Sequence, residues 1–361
     1  KVLVSNHIDS WECKSQNWSP VFRDEFTKRR GYDPVKYLPA MTGIPVESAE
    51  VSERFLNDIR ITISELICNN FLESYVKLIH SNKARFSAES IAPTVMCDGM
   101  AHYGKADVPM GEFWLQSPLH DKPNDILDAI HAAHIYGKKI IQAEAFTQIG
   151  INWNEDPYFL KTLGDHNFAR GINRLVLHVW AHKSSKGEPG ITLSYIGTEF
   201  SRTQPWWEAS KAWFDYLTRT QALLQEGNPV VDVLYYTGEN MPVRAFMPDD
   251  LVPELPDGYT YNSINRDALL NQAGAEDGHI VLPGGITCRV LVLPDDSRMS
   301  PEVAEKIAQM SQEGVIVIGF KQDRSWSWSG YPQCDKEVQR IVRKGWKDVR
   351  GNITLSKVYE E

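Results

Sequence analysis

Cysteine is scarce in this 361-residue sequence, with five residues (Cys13, Cys68, Cys97, Cys288 and Cys334) and no Cys-x-x-Cys pair among them. Wide spacing and an odd count exclude a zinc-ribbon site and a disulfide framework, and the thiols read as buried apolar groups. Cys13 stands beside Glu12, but no histidine is spaced to activate it as a nucleophile. Long apolar runs are also missing, since none approaches the roughly 18 residues a membrane helix needs. Positive charge is in deficit, with 38 Lys and Arg against 47 Asp and Glu. The net charge of −9 argues against nucleic acid or an anionic membrane surface as partner and favours a neutral one. No Gly-x-Gly-x-x-Gly fingerprint occurs, which removes the usual cradle for a nucleotide phosphate.

What is present is core-forming material, 42% hydrophobic and 11% aromatic, enough for two domains. Residues 138–147 organise the first of them. Ile140 and Ile141 lead into Gln142, Ala143 and Glu144, an apolar run that breaks into a carboxylate. That pattern predicts a buried parallel strand delivering an acid at its C-terminal end. Residues 2–8, 84–90, 110–114 and 174–180 are the other strand candidates, and 110–114 carries Glu112. Helices are expected over 21–30, 48–81 (one helix or a pair), 124–136, 157–169 and 206–225, with 92–109 as a long loop. Gly227 and Pro229 close the last helix and mark a boundary, giving domains 1–227 and 228–361.

The second domain repeats the alternation, with strands at 230–236, 289–293 and 315–320 and helices near 266–272 and at 301–313. Ser300 is placed to cap the last helix and Pro301 to open it. This half is expected to be a small doubly wound, flavodoxin-like α/β unit. In the first half, five strands fall short of the eight of a (β/α)8 barrel. If three lie upstream of Lys1, those present are strands four to eight, with an open sheet edge where the others belong. Glu12 then follows strand four and Glu144 ends strand seven, a placement shared by a large clan of barrel glycosidases.

Short motifs sharpen the likeness. His7-Ile8-Asp9-Ser10-Trp11-Glu12, Gln16-Asn17-Trp18, Arg29-Arg30-Gly31, Gly111-Glu112-Phe113-Trp114, Ala143-Glu144-Ala145-Phe146-Thr147 and Gly171-Ile172-Asn173-Arg174 stand in this order. Together they resemble the α-L-rhamnosidases of glycoside hydrolase family 106, of gut-bacterial type, over nearly the whole chain. The resemblance implies an inverting mechanism, a calcium ion at the active site, a rhamnose-containing plant polysaccharide such as a pectin side chain as partner, and a periplasmic or secreted location. It implies Glu12 as general acid, Glu144 as general base and Glu112 as a third essential carboxylate.

Inverting hydrolysis requires an acid that protonates the leaving oxygen and a base that activates water on the opposite face, about 6.5–9.5 Å apart. Trp11 and Trp18 could wall an acid that must hold its proton. Calcium takes oxygen ligands, for which Glu112 and Asp9, with Glu89, are candidates. His7, Trp11, Trp114 and His178 are candidates for contact with the sugar, as are Trp153 and Trp180. His134 and Trp206, Trp207 and Trp213 sit on predicted helices and read as packing. A lone acid at a strand end is commonly a solvated loop residue, so a carbohydrate-binding protein without turnover is the alternative reading.

Overall fold

The computed structural model describes residues 2–10, 17–90, 97–115, 123–184, 186–187, 190–346, 349–351 and 355–360. Its first half is a curled parallel sheet of five strands in the order β1-β2-β3-β4-β5. They are β1 (Ser5–Ile8), β2 (Arg85–Glu89), β3 (Val108–Trp114), β4 (Gln142–Thr147) and β5 (Arg174–Leu177). Parallel neighbours need crossovers, and helices supply them. Between β1 and β2 run α1 (Phe22–Arg30), α2 (Ala49–Leu66), a π-helical turn over Ile67–Leu72, and α3 (Glu73–Ser81). A short helix at 21–30 and one helix or a pair over 48–81 were expected there. The interruption is that turn, so the chain is continuous but not uniformly α-helical.

The long loop expected at 92–109 contains a helix, α4 (Gly99–Lys105), capped by the Asp98 carboxylate accepting from Ala101 N–H. Seven residues with Gly99 and Gly104 near their ends give too little periodicity to be read from sequence. Strand β3 likewise begins at Val108 rather than 110, and runs through Pro109. Helices α5 (Pro123–Ile135) and α6 (Pro157–Arg170) fall where the sequence placed them, whereas α7 (Lys211–Leu224) starts later than the expected residue 206, after a 3₁₀ turn over Trp207–Ala209.

A second parallel sheet contains β6 (Val233–Tyr236), β7 (Tyr261–Ile264), β11 (Val290–Val292) and β12 (Ile316–Ile318), ordered β12-β11-β6-β7. Helix α8 (Arg266–Asn271) follows β7. A small antiparallel meander, β8 (Gly274–Glu276), β9 (His279–Val281) and β10 (Thr287–Cys288), is inserted before β11. Pro283–Gly285 forms the turn between its last two strands. Helices α9 (Pro301–Gln312), α10 (Gln333–Gly345) and α11 (Leu355–Glu360) complete this half. Ser300 caps α9 as expected.

The two sheets share one apolar core, in which Ala129, Ile130 and Ala133 of α5 pack with Leu234, Ile264 and Ile286. Polar groups on α5 also face the second half. His134 Nδ1 lies 3.2 Å from Asn262 Oδ1, His131 Nδ1 accepts from Ser263 N–H, and Arg244 bonds both Asp125 and Asp128. Burial pushes His131 down to about 3, so its ring is a neutral acceptor. Residues 325–335 form a second tie. Asp58 on α2 accepts from Ser327 Oγ, Trp328 N–H and Tyr32 Oη, and burial still holds its carboxyl above the ordinary range.

Arg54 is 5% exposed and makes a bidentate pair with Asp335 at 2.9 and 2.7 Å, a third bond to Glu50, and a face contact with Tyr331. Replacing Arg54 with Ala leaves Asp335 half-buried without its partner. The expected cost is about 3–5 kcal/mol, read as a lower denaturant midpoint. A shift of under 1 kcal/mol would show that this tie is dispensable. No helix among the described residues is long and apolar enough to cross a membrane.

Candidate active site

All five strands of the first sheet point their C-terminal ends to one side, and the acids collect there. Glu112 and Glu144 are register partners on β3 and β4. Glu89 closes β2, beside Met110 of β3. One carboxylate oxygen from each of Glu89, Glu112 and Glu144 lies within 4.8 Å of the others. Glu89 also belongs to a second such group with His7 and Asp9. The two proposed metal ligands, Glu112 and Asp9, thus fall in overlapping groups that Glu89 joins. Glu89 and Glu112 are buried, whereas His7 and Asp9 are exposed.

Local packing fixes these positions. A Cβ on Gly111 would stand 2.9 Å from the Asp125 carbonyl, so only glycine lets α5 approach β3 this closely behind Glu112. His7 Nδ1 lies 3.1 Å from Ser87 Oγ, whose proton is given to Gln142 Oε1 at 2.7 Å. His7 must therefore donate from Nδ1, which leaves Nε2 with a lone pair when the ring is neutral. Burial pushes His7 below its ordinary value, against the attraction of Asp9 and Glu144 and its bond to Ser87.

Strand β4 is bulged next to Glu144. Its pairing with β3 passes from Ala145–Phe113 directly to Thr147–Trp114, so Phe146 is an extra residue. Phe146 holds φ +66, a conformation that costs a non-glycine residue about 1–3 kcal/mol. Its ring is buried against Phe113, Phe200 and Trp213, and Gly164 leaves room for it. The Phe146 carbonyl accepts from Thr198 Oγ1, and the Thr147 carbonyl from Leu115 N–H. Thr147 Oγ1 meets Glu144 Oε1 in a short hydrogen bond and stands 3.1 Å from His178 Nδ1, which is itself 3.3 Å from Glu144 Oε1.

The structure thus brings Glu112, Glu144 and His178 together with Glu89, and sets His7 and Asp9 beside them. Glu12 and Trp11 lie outside the described residues. Trp114 ends β3 nearly buried, while Trp180, on the chain after β5, is 61% exposed. His102 is buried and pushed down to about 4 by burial, as a packing histidine would be. Cys68, Cys97 and Cys288 are buried free thiols. Sequence reasoning gave Glu89 only a minor part, although it ends an apolar run as Glu144 does. Thr147 was not singled out, because its place depends on a bulge.

The family model for alpha-L-rhamnosidase matches residues 2–360. The chain belongs to glycoside hydrolase family 106. A Formosa agariphila protein named "Putative beta-glucuronidase" is 40% identical over 341 residues, covering 94% of this chain and 28% of that protein. The structure of a rhamnosidase from Novosphingobium sp. PP1Y superposes over 99% of this chain and 36% of its own, with a TM-score of 0.86 and 27% identity. An exo-carrageenase of Bacteroides ovatus shares the fold alone, with a TM-score of 0.57 at 9% identity, over 97% of this chain and 52% of its own. The family 106 chain therefore spans about a third of the length of the first two proteins.

Proposed function

We propose that this family 106 chain carries the catalytic site of an exo-acting enzyme that removes terminal α-L-rhamnose from plant polysaccharide or glycoside with inversion. The observation that supports it most is the pairing of Glu112 with Glu144 in register, with Glu89 alongside, at the C-terminal edge of a curled parallel sheet. In this reading the five strands are strands four to eight of a (β/α)8 barrel, and residues 228–361 form a flavodoxin-like unit. Glu144 takes a proton from water, Glu12 gives one to the leaving oxygen, and Glu112 holds the sugar. His7 and His178 offer hydrogen bonds to its hydroxyls, and Trp11 and Trp114 give the ring an apolar wall.

Calcium fits this donor set. The oxygens of Glu89, Glu112 and Glu144 are hard ligands, and carboxylates held this close repel one another unless a cation or proton intervenes. Glu89 and Glu112, with Asp9 at the rim, would hold the ion, which would bind neighbouring sugar hydroxyls and orient the ring. The relative's glucuronidase name points to an acidic sugar instead. An edge crowded with Asp9, Glu89, Glu112 and Glu144 suits a neutral deoxy-sugar better than a uronate.

The deciding test incubates the protein at its natural length with aryl α-L-rhamnoside and aryl β-glucuronide and follows the released sugar by proton NMR. The expected result is β-L-rhamnose as first product from the rhamnoside alone. Initial α-L-rhamnose would refute inversion, and cleavage of the glucuronide alone would refute the sugar.

A further inference from the structure

We infer that Thr147 is a positioning residue for Glu144, and that the bulge at Phe146 serves to put it there. In an unbroken strand, side chains alternate, so a residue three places after Glu144 would face the far side of the sheet. The extra residue returns Thr147 to the side of Glu144. There its hydroxyl, fully buried, touches both Glu144 Oε1 and His178 Nδ1.

Counting protons decides the direction of these bonds. An ionised Glu144 only accepts, so the single Thr147 hydroxyl proton must go to Oε1. Oγ1 then has only lone pairs to offer His178, and the ring must carry its proton on Nδ1. The other proton arrangement sets two lone pairs against each other across the Thr147–Glu144 contact. Two consequences follow. Oε1 of Glu144 is occupied, which reserves Oε2 for the attacking water. His178 Nε2 is directed away from Thr147 and bears a lone pair when the ring is neutral, so that it can accept a hydrogen bond from a substrate hydroxyl. Glu144 is flanked by its register partner Glu112 on β3 and by His178 just past the end of β5, and Thr147 supplies the hydroxyl that bonds it.

This inference rests on Glu144 acting as the base, and its test separates the two. Thr147→Val keeps the branched shape and removes the hydroxyl, whereas Thr147→Ser keeps the hydroxyl. For hydrolysis of an aryl α-L-rhamnoside, Thr147→Val should lower kcat about ten- to a hundredfold, as loss of a charge-assisted hydrogen bond implies, with KM within about twofold. Thr147→Ser should stay within about threefold of wild type. Nitrogen-15 NMR of His178 at a single neutral pH should show the proton on Nδ1 in the wild type, where that nitrogen faces Thr147 Oγ1 at 3.1 Å and Glu144 Oε1 at 3.3 Å. An unchanged kcat in Thr147→Val, an equal loss in Thr147→Ser, or a wild-type ring bare at Nδ1 would each overturn the assignment. Wild-type protein inert toward rhamnosides would sink the functional reading instead, and a His178 ring bare at Nδ1 in that protein would sink the Thr147 assignment as well.

Discussion

Glu144→Gln is expected to lower kcat by about 10²- to 10⁴-fold with little change in KM, the range associated with loss of a positioned proton acceptor. Glutamine keeps the shape and can still meet Thr147 Oγ1, so the fold should survive and the melting temperature should hardly move. Glu12→Gln should lose as much on natural glycosides, for a different reason. Its task is to protonate the leaving oxygen, and an aryl group that leaves as a weakly basic phenolate needs little help. An activated aryl rhamnoside should therefore rescue Glu12→Gln in part and leave Glu144→Gln inert. Equal behaviour of the two variants across leaving groups would show that the acid and base have been assigned wrongly.

Exhaustive chelation is expected to abolish activity, and calcium to restore it. Zinc should fail, because it prefers nitrogen and sulfur in tetrahedral sites while this edge offers carboxylate oxygens. A second readout needs no substrate. Calcium that binds only the folded protein should stabilise it by about 2.7 kcal/mol at a hundred times its Kd, seen as a higher Tm. Glu89→Gln should blunt this shift because Glu89 belongs to both carboxylate groups. Full turnover after chelation would remove the ion from the mechanism, and the same calcium response in Glu89→Gln would remove Glu89 from the ion site.

Much of the first sheet was legible where an apolar run leads into polar chemistry, as Ile140 and Ile141 lead into Glu144 of β4, whereas β1 is Ser5–Ile8 and not the expected 2–8, with Val2, Leu3 and Val4 exposed. That pattern and the family motifs together named Glu112 and Glu144 as site acids, while their register against each other is seen only in the structure. Strand β7 was not legible, for a physical reason. Its Asn262 and Ser263 are buried, yet they are polar, because the Asn262 side chain meets His134 of α5 and the Ser263 hydroxyl accepts from Phe246 N–H. Hydrogen bonding between elements replaced the apolar signal. Strands β8 to β10, two or three residues each, are too short to show any period. Helix α10 was not expected from the sequence, although it carries a buried stripe, Val338, Ile341 and Val342, within a highly charged run. Thr147 was hidden because one inserted residue reverses the face of everything after it, and sequence alternation cannot count a bulge in advance.

Helix α5 gives the architecture a property that neither sheet has alone. One side of it supports β3 through the close approach at Gly111, and the other receives Arg244, Ser263 and Asn262 from the second sheet. It acts as a party wall, built into two houses at once. Such a wall restricts how a lineage can recombine its parts. A foreign α/β unit spliced on at residue 228 would have to bring its own arginine for Asp125 and Asp128 and its own donors and acceptors for the two histidines. Without them it would leave buried charges on the helix that backs Glu112. The two halves are therefore expected to be inherited as one piece, however different their folds.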